Sequence, residues 1–217
     1  MSLAPFIVLD GLDGTGKSTQ CRLLIDWLHS KNIMAINTRD PGGTPLGERL
    51  RSILLDLKQD DVRLKTEAMM FMASRAELVE KIMRPSLENG VVVISDRFLL
   101  ANVVYQGHAG GLDPDELWRI GHFTTSGIEP DLTFVLDLPI EAAAARRGRN
   151  PDRMEMRDRA YQQRVRDGFL LEARDRPESI HVIDASASAD EIQHLLRFWV
   201  SGLLRLRGYP MPPEGMP

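Results

Sequence analysis

Short apolar runs alternate along the chain with stretches of helical period. Phe6-Ile7-Val8-Leu9 stops at Asp10-Gly11 and reads as a strand buried on both faces. Over 17–31 the period changes, and Cys21, Leu24, Ile25 and Leu28 recur on one helical face. Residues 33–37 form a second strand candidate, followed by a turn rich in breakers, Arg39-Asp40-Pro41-Gly42-Gly43-Thr44. Helical period returns over 46–57 and 65–88. Gly90 closes the second stretch, and Pro85 is expected to kink it or to set off a last turn. Val91-Val92-Val93-Ile94 is the clearest buried strand and ends at Ser95-Asp96-Arg97. Asp113 before Pro114 predicts an N-cap and first helical residue for a helix over 114–126. Strands at 132–138 and 180–183, with helices over 140–147, 159–174 and 189–207, complete the pattern.

Strands alternating with helices imply a three-layer α/β domain: a five-stranded parallel sheet, helices on both faces, right-handed crossovers. No repeat or linker divides the chain, so 1–207 reads as a single domain. The Arg-rich stretch to about residue 158 is expected to be a mobile loop. The Pro-rich tail 208–217 is expected to be unstructured.

Composition narrows the function classes. With 217 residues, 43% hydrophobic and 27% charged, the chain has the make-up of an ordinary globular enzyme. A net charge of -4 argues against a general nucleic-acid binder. The positive charge is concentrated, however: Arg146, Arg147, Arg149, Arg153, Arg157 and Arg159 crowd one stretch, which suits a small anionic ligand. The single cysteine, Cys21, excludes an internal disulfide and fits a reducing compartment; its place on an apolar helical face points to packing. The five histidines lack zinc-ligand spacing. Neither a signal peptide nor an apolar run of membrane-spanning length is present, so a cytoplasmic protein without membrane partners is expected.

Gly11-Leu12-Asp13-Gly14-Thr15-Gly16-Lys17-Ser18 matches G-x-x-x-x-G-K-[ST] in the right setting, after a buried strand and before a helix. Wrapping a phosphate with successive backbone amides demands unusual dihedrals, which Gly11, Gly14 and Gly16 permit. The helix N-terminus adds partial positive charge, Lys17 a full one, and the Ser18 hydroxyl is a ligand for Mg²⁺. The motif specifies a nucleoside triphosphate and no more.

Four further segments accompany the phosphate loop: Thr38 to Thr44, Phe71-Met72-Ala73-Ser74-Arg75, Asp96-Arg97-Phe98 running to Tyr105-Gln106-Gly107, and Glu129-Pro130-Asp131-Leu132-Thr133. With them the chain resembles thymidylate kinases, of the bacterial type that carries its arginine on the lid, up to about Arg207. The resemblance implies the P-loop nucleoside monophosphate kinase fold with an Arg-rich lid near 146–158. It also implies transfer of the γ-phosphate of ATP to dTMP, giving dTDP and ADP with Mg²⁺, by a homodimer. It assigns Gly11, Leu12, Asp13, Gly14, Thr15, Gly16, Lys17, Ser18, Thr19, Arg149 and Arg153 to ATP. It assigns Asp13, Arg39, Asp40, Pro41, Arg51, Phe71, Arg75, Arg97, Asn102, Tyr105 and Gln106 to dTMP. Lys17, Asp13, Asp96, Arg97 and Arg153 become the catalytic set, and Ser18 and Asp96 the metal ligands.

Particular residues make chemical sense of this. Phe71 and Arg75 stand four apart on one helix face. Periodicity alone favours a core phenylalanine beside a surface arginine; the resemblance puts the ring against thymine and the guanidinium at its edge. Arg97, at the carboxyl end of a strand, suits the acceptor phosphate. Asp96 either organises the metal or orients Arg97. Asn102 both donates and accepts, as thymine's N3–H and O4 require. Tyr105 is expected to fill the space of a ribose 2′-hydroxyl. Three positions depart from the family's pattern: Asp40 for Glu, which shifts contact toward the sugar; Phe98 for Tyr or His; Ala101 for Ser. The competing readings are a kinase of the same fold with another nucleotide or nucleoside acceptor, and a non-catalytic nucleotide-binding module.

Overall fold

A computed structural model describes residues 3–56, 62–147 and 157–211. Five parallel strands form one sheet in the order β2-β3-β1-β4-β5: β1 (Phe6–Asp10), β2 (Ala35–Arg39), β3 (Val92–Asp96), β4 (Leu132–Asp137) and β5 (Ile180–Asp184). The central β1 is buried along its whole length, and its side chains divide between two cores. Ile7 and Leu9 join the core on one face, Phe6 and Val8 that on the other, as the two-residue strand period requires. The edge strands β2 and β5 each expose two of their five residues.

The register sets the carboxyl ends of the inner strands level. Leu9 pairs with Asp96, Asp96 with Arg39, and Asp10 with Val135. Charged groups thus gather where β1, flanked by β3 and β4, ends in the phosphate loop and α1 (Lys17–Ser30). This is the crevice where open α/β sheets bind ligands.

The remaining helices are α2 (Pro45–Leu55), α3 (Leu64–Leu78), α4 (Arg84–Glu88), α5 (Leu99–Asn102), α6 (Pro114–Thr124), α7 (Ile140–Arg146), α8 (Arg159–Asp175) and α9 (Ala189–Leu206). Between α3 and α4 the helix widens into a π turn, Val79–Met83, where the Arg84 amide donates to the Val79 carbonyl five residues back. Pro85 follows directly. It has no N–H to continue an α ladder, so the last turn is set apart, one of the two outcomes expected of it.

Two sequence readings are corrected. The span 98–113 carried no predicted element, yet α5 runs on into a second π turn, Val103–His108. Its Val103-Val104-Tyr105 run has the residue types of a strand, and the π turn breaks the helical period that would have revealed it. The tail is not unstructured at its start: Tyr209 packs on the core, its amide donates to Leu204 (2.9 Å), and Met211 is buried. Cys21 is buried as packing, as expected, and burial pushes its thiol well up.

Candidate active site

Beyond β1 the chain turns sharply. Gly11 has φ 127°, and a Cβ there would lie 2.5 Å from the Leu136 carbonyl oxygen of β4, so only glycine fits beside the neighbouring strand. Gly16 caps α1 in the left-handed region, without a side-chain cap. By contrast Thr44, Asp113, Asp158 and Ser188 cap α2, α6, α8 and α9 with side-chain oxygens. The first turn of α1 therefore directs its amides and its partial positive charge into the cleft. Around them stand six basic side chains (Lys17, Arg39, Arg51, Arg97, Arg146, Arg147) and three carboxylates (Asp13, Asp40, Asp96). Such an excess of positive charge in a concave site suits a polyphosphate.

Lys17 is buried; its ammonium donates to the Leu12 carbonyl (2.7 Å) and lies 3.6 Å from Asp13. Burial lowers its pKa, and the nearby Arg97 lowers it further. The Ser18 hydroxyl donates to Asp96 at 2.5 Å. Asp96 faces Ser18, whereas Arg97 turns to other carboxylates. Its guanidinium donates to Asp10 (3.0 Å), the Gly11 carbonyl (2.9 Å), Asp13 (2.6 Å) and the Tyr105 hydroxyl (3.3 Å). Arg97 also has φ 70°, rare for a side chain that is not glycine. Its amide donates to Leu9 and its carbonyl accepts from Ser95, which holds this conformation. Burial pushes the Asp10 carboxyl up to about 6, against the pull of Arg97 and Lys17. For Asp13 burial acts the same way, but Arg97 and Lys17 overcome it and hold the carboxyl well below the usual range.

A second cleft opens on the other side of Arg97. Asp13, Asp40, Pro41, Arg51, Leu55, Phe71, Arg75, Arg97, Ala101, Asn102, Tyr105 and Gln106 line it. Arg75 is 1% exposed, whereas Phe71 is only half-buried and faces the cleft. The reading from periodicity is thus inverted: the arginine is the core residue. Its Nε donates to Asp40 (2.5 Å) and its Nη1 to Asn102 (3.2 Å), and the guanidinium lies 5.6 Å from the centre of the Phe98 ring. Asp40, joined to Pro41 by a cis peptide bond, spends its carboxylate on Arg75. Asp13, Asp40, Arg51 and Arg97 line both clefts and form their common wall.

The family model described as "Thymidylate kinase" matches residues 9–196. The chain belongs to the thymidylate kinase family. It is 46% identical over 209 residues to the thymidylate kinase of Symbiobacterium thermophilum, covering 95% of this chain and 98% of that one. It is 47% identical over 186 residues to that of Rhodopirellula baltica, covering 86% and 76%. The crystal structure of thymidylate kinase from Ehrlichia chaffeensis superposes with a TM-score of 0.70 at 33% identity, covering 83% of this chain and 92% of that chain. The fold is accordingly the three-layer P-loop nucleoside monophosphate kinase fold.

Within this family frame, ten of the eleven residues expected at the acceptor line the second cleft. The exception, Arg39, lines the phosphate cleft and pairs with Glu48 (2.7 Å). Arg149 and Arg153, with most of the expected lid, lie outside the described residues. The rest of the arginine cluster divides. Arg146 and Arg147 line the phosphate cleft, Arg157 reaches the buried Glu67 (3.1 Å), and the exposed Arg159 pairs with Glu141. Phe98, in place of the family's Tyr or His, meets Phe6 edge-on at 4.9 Å beneath Arg75. Two residues bonded to these side chains escaped the sequence reading, Asp10 and Glu67. Glu67 had a signal: it stands four residues before Phe71 and eight before Arg75 on one face of α3.

Proposed function

We infer that the chain transfers the γ-phosphate of ATP to dTMP, giving dTDP and ADP. One observation carries the reading: a phosphate-loop cleft and a second cleft lined by Phe71, Arg75, Asn102 and Tyr105 share the wall made by Asp13, Asp40, Arg51 and Arg97. Two substrates seated in these clefts would bring their phosphates together at Arg97.

Little covalent chemistry is asked of such a protein; positioning and charge neutralisation do the work. The α1 amides and Lys17 would hold the donor phosphates. Arg97, now bonded to Asp10 and Asp13, would turn one arm to the acceptor phosphate and reduce repulsion between the anions. Phe71 would stack on the base, Arg75 and Asn102 would read its edge, and Tyr105 would close the space of a 2′-hydroxyl. From the resemblance, Arg153 would add charge at the transferred group.

The residues fit Mg²⁺. The Ser18 hydroxyl and Asp96 carboxylate are hard oxygen donors at the head of the phosphate cleft. Among the described residues no group of three or more His, Cys, Asp or Glu is arranged to hold a metal by itself. That is the usual pattern for Mg²⁺, which takes one or two protein oxygens and completes its shell with water and phosphate. When bound, the ion neutralises charge on the phosphates.

We also propose a cytoplasmic homodimer. No helix among the described residues is long and apolar enough to cross a membrane, and Met69 on α3 and Phe123 on α6 are exposed apolar side chains on helices that pack together. The test of the activity is ADP release with ATP and Mg²⁺ across dTMP, dUMP, dCMP, UMP and thymidine. A strong preference for dTMP is expected. Preference for another acceptor would discard the base cleft's assignment, and no turnover would leave a nucleotide-binding module.

A further inference from the structure

Behind the base-facing side chains runs a buried line of hydrogen bonds. Arg75 Nη1 donates to Asn102 Oδ1 (3.2 Å), Asn102 Nδ2 donates to Gln106 Oε1 (2.7 Å), and Gln106 Nε2 donates to Glu67 Oε1 (2.7 Å). All four side chains are at most 2% exposed. Glu67 does not line the cleft, whereas the other three do. Arg157 Nη2 closes the far end, donating to Oε2 (3.1 Å) and Oε1 (3.3 Å) of the same carboxylate.

The two ends of this line differ in kind. A guanidinium only donates, and an ionised carboxylate only accepts. Between them stand two primary amides, each of which turns over at little steric cost. Because Glu67 accepts only, Gln106 must aim its nitrogen at Glu67 and its oxygen at Asn102. Asn102 must then aim its nitrogen at Gln106 and its oxygen at Arg75. Turning either amide would set donor against donor or acceptor against acceptor at a buried contact, which is expensive. Arg75 at one end and this carboxylate, outside the cleft, at the other thereby agree on which polar atoms the cleft presents.

We propose that Glu67 is a positioning residue that, opposite Arg75, holds the polarity of the base-reading amides Asn102 and Gln106, and so strengthens the preference for thymine over cytosine. The inference rests on the reading of the chain as a dTMP phosphotransferase. Thymine offers an N3–H donor and an O4 acceptor. Cytosine offers an N3 acceptor and an exocyclic amino donor at the corresponding edge. An amide locked in one orientation discriminates between these edges, and an amide free to turn does so far less.

Glu67→Gln tests this with almost no change of shape. The substituted amide offers one oxygen and one nitrogen to two converging donors, Gln106 and Arg157, so the line is held from the Arg75 end alone and Gln106 loses its fixed acceptor. The ratio of kcat/KM for dTMP over dCMP is expected to fall at least tenfold, while KM for ATP stays within twofold. A purely structural role would lower activity toward both acceptors alike and leave that ratio alone. The double variant Glu67→Met with Arg157→Met is the second probe. It replaces the ion pair of the partly exposed Arg157 and the buried Glu67 with apolar groups of similar length, a change that folded proteins often tolerate. The same loss of ratio is expected from it. A ratio within twofold of the starting protein in any variant that folds would overturn the inference, as would failure of both variants to fold, which would assign Glu67 to core stability. A starting protein that does not prefer dTMP would instead overturn the proposed activity on which this rests.

Discussion

The phosphate cleft and the acceptor cleft share a wall but are built from different material. The first is founded on backbone close to β1, with glycines of positive φ, the open turn of α1 and one buried lysine, and is ringed by arginines and carboxylates from other elements. The second is side chains drawn from the β2–α2 turn, α2, α3, the end of β3 and α5 with its π turn. Backbone amides recognise what all phosphates share. Side-chain ion pairs and amides recognise what distinguishes one base from another. The division teaches that damage to the first cleft should fall on every acceptor equally, and damage to the second should be selective.

The largest effect expected is therefore unselective. Lys17→Met removes the buried charge from the phosphate cleft and should lower kcat with every accepted monophosphate by roughly 10²–10³-fold, as for loss of one preorganised charge donor. Binding of dTMP alone, followed by calorimetry, should be nearly unchanged. A selective loss, or loss of dTMP affinity of the same size, would break the comparison.

Arg75→Ala should do the reverse. It removes the donor to Asn102 and leaves Asp40 buried with neither oxygen well paired, since Asp40 Oδ1 already lacks a partner. The expected loss in kcat/KM for dTMP is roughly 10–100-fold, the worth of a charged hydrogen bond, with KM for ATP little changed. Thermal unfolding should show a stability cost of ~3–5 kcal/mol, the usual result of orphaning a buried charge. Equal loss for ATP and dTMP would sink the acceptor assignment.

These two experiments also bracket what the sequence disclosed. The phosphate cleft was legible because its chemistry is local: eight contiguous residues between a strand and a helix specify it. The residues of the second cleft were reached through resemblance, because folding brings residues 40, 71, 97 and 105 together and no local period encodes that meeting. Arg75 shows the limit best. Hydropathy places arginine outside and phenylalanine inside, but Asp40 and Asn102 make the arginine the better-buried residue of the pair. The helix through Asn102, Tyr105 and Gln106 was invisible for a related reason. Its π turn shifts those side chains off the usual period, as π turns at ligand sites tend to do. Asp10 was overlooked because a carboxylate at a strand end looks like part of a turn until Arg97 is seen against it.

Asp10 supplies a smaller effect with a definite sign. Its carboxyl is raised from the ordinary 3.8 to about 6 in the folded protein, burial outweighing Arg97. Between those values the folded state holds a proton that the unfolded state has released, so stability falls as pH rises from about 4 to about 6. It is flat above, and the size is about 3 kcal/mol. Asp13, held below its ordinary range, acts oppositely, but only below the pH at which an unfolded carboxylate titrates. Urea unfolding of the starting protein and of Asp10→Asn at pH 4.5, 5.5 and 6.5 should therefore converge in acid and separate toward neutrality, with the asparagine variant gaining. A pH-independent difference would show that Arg97 fully compensates the buried charge.

The smallest effect comes from the arginine cluster itself. Arg157 and Arg159 are two residues apart in a stretch that charge alone would treat as uniform. The structure separates them: Arg157 reaches the buried Glu67, whereas Arg159 is 77% exposed and pairs with Glu141, itself 65% exposed. An exposed pair gains little attraction in water and loses side-chain freedom. Arg159→Ala should leave turnover with dTMP and the unfolding temperature unchanged within error, in low and in high salt. A clear loss of turnover would mean that Arg159 works in the phosphate cleft with Arg146 and Arg147, and that the cluster acts as one anion-binding surface rather than as separate residues with separate partners.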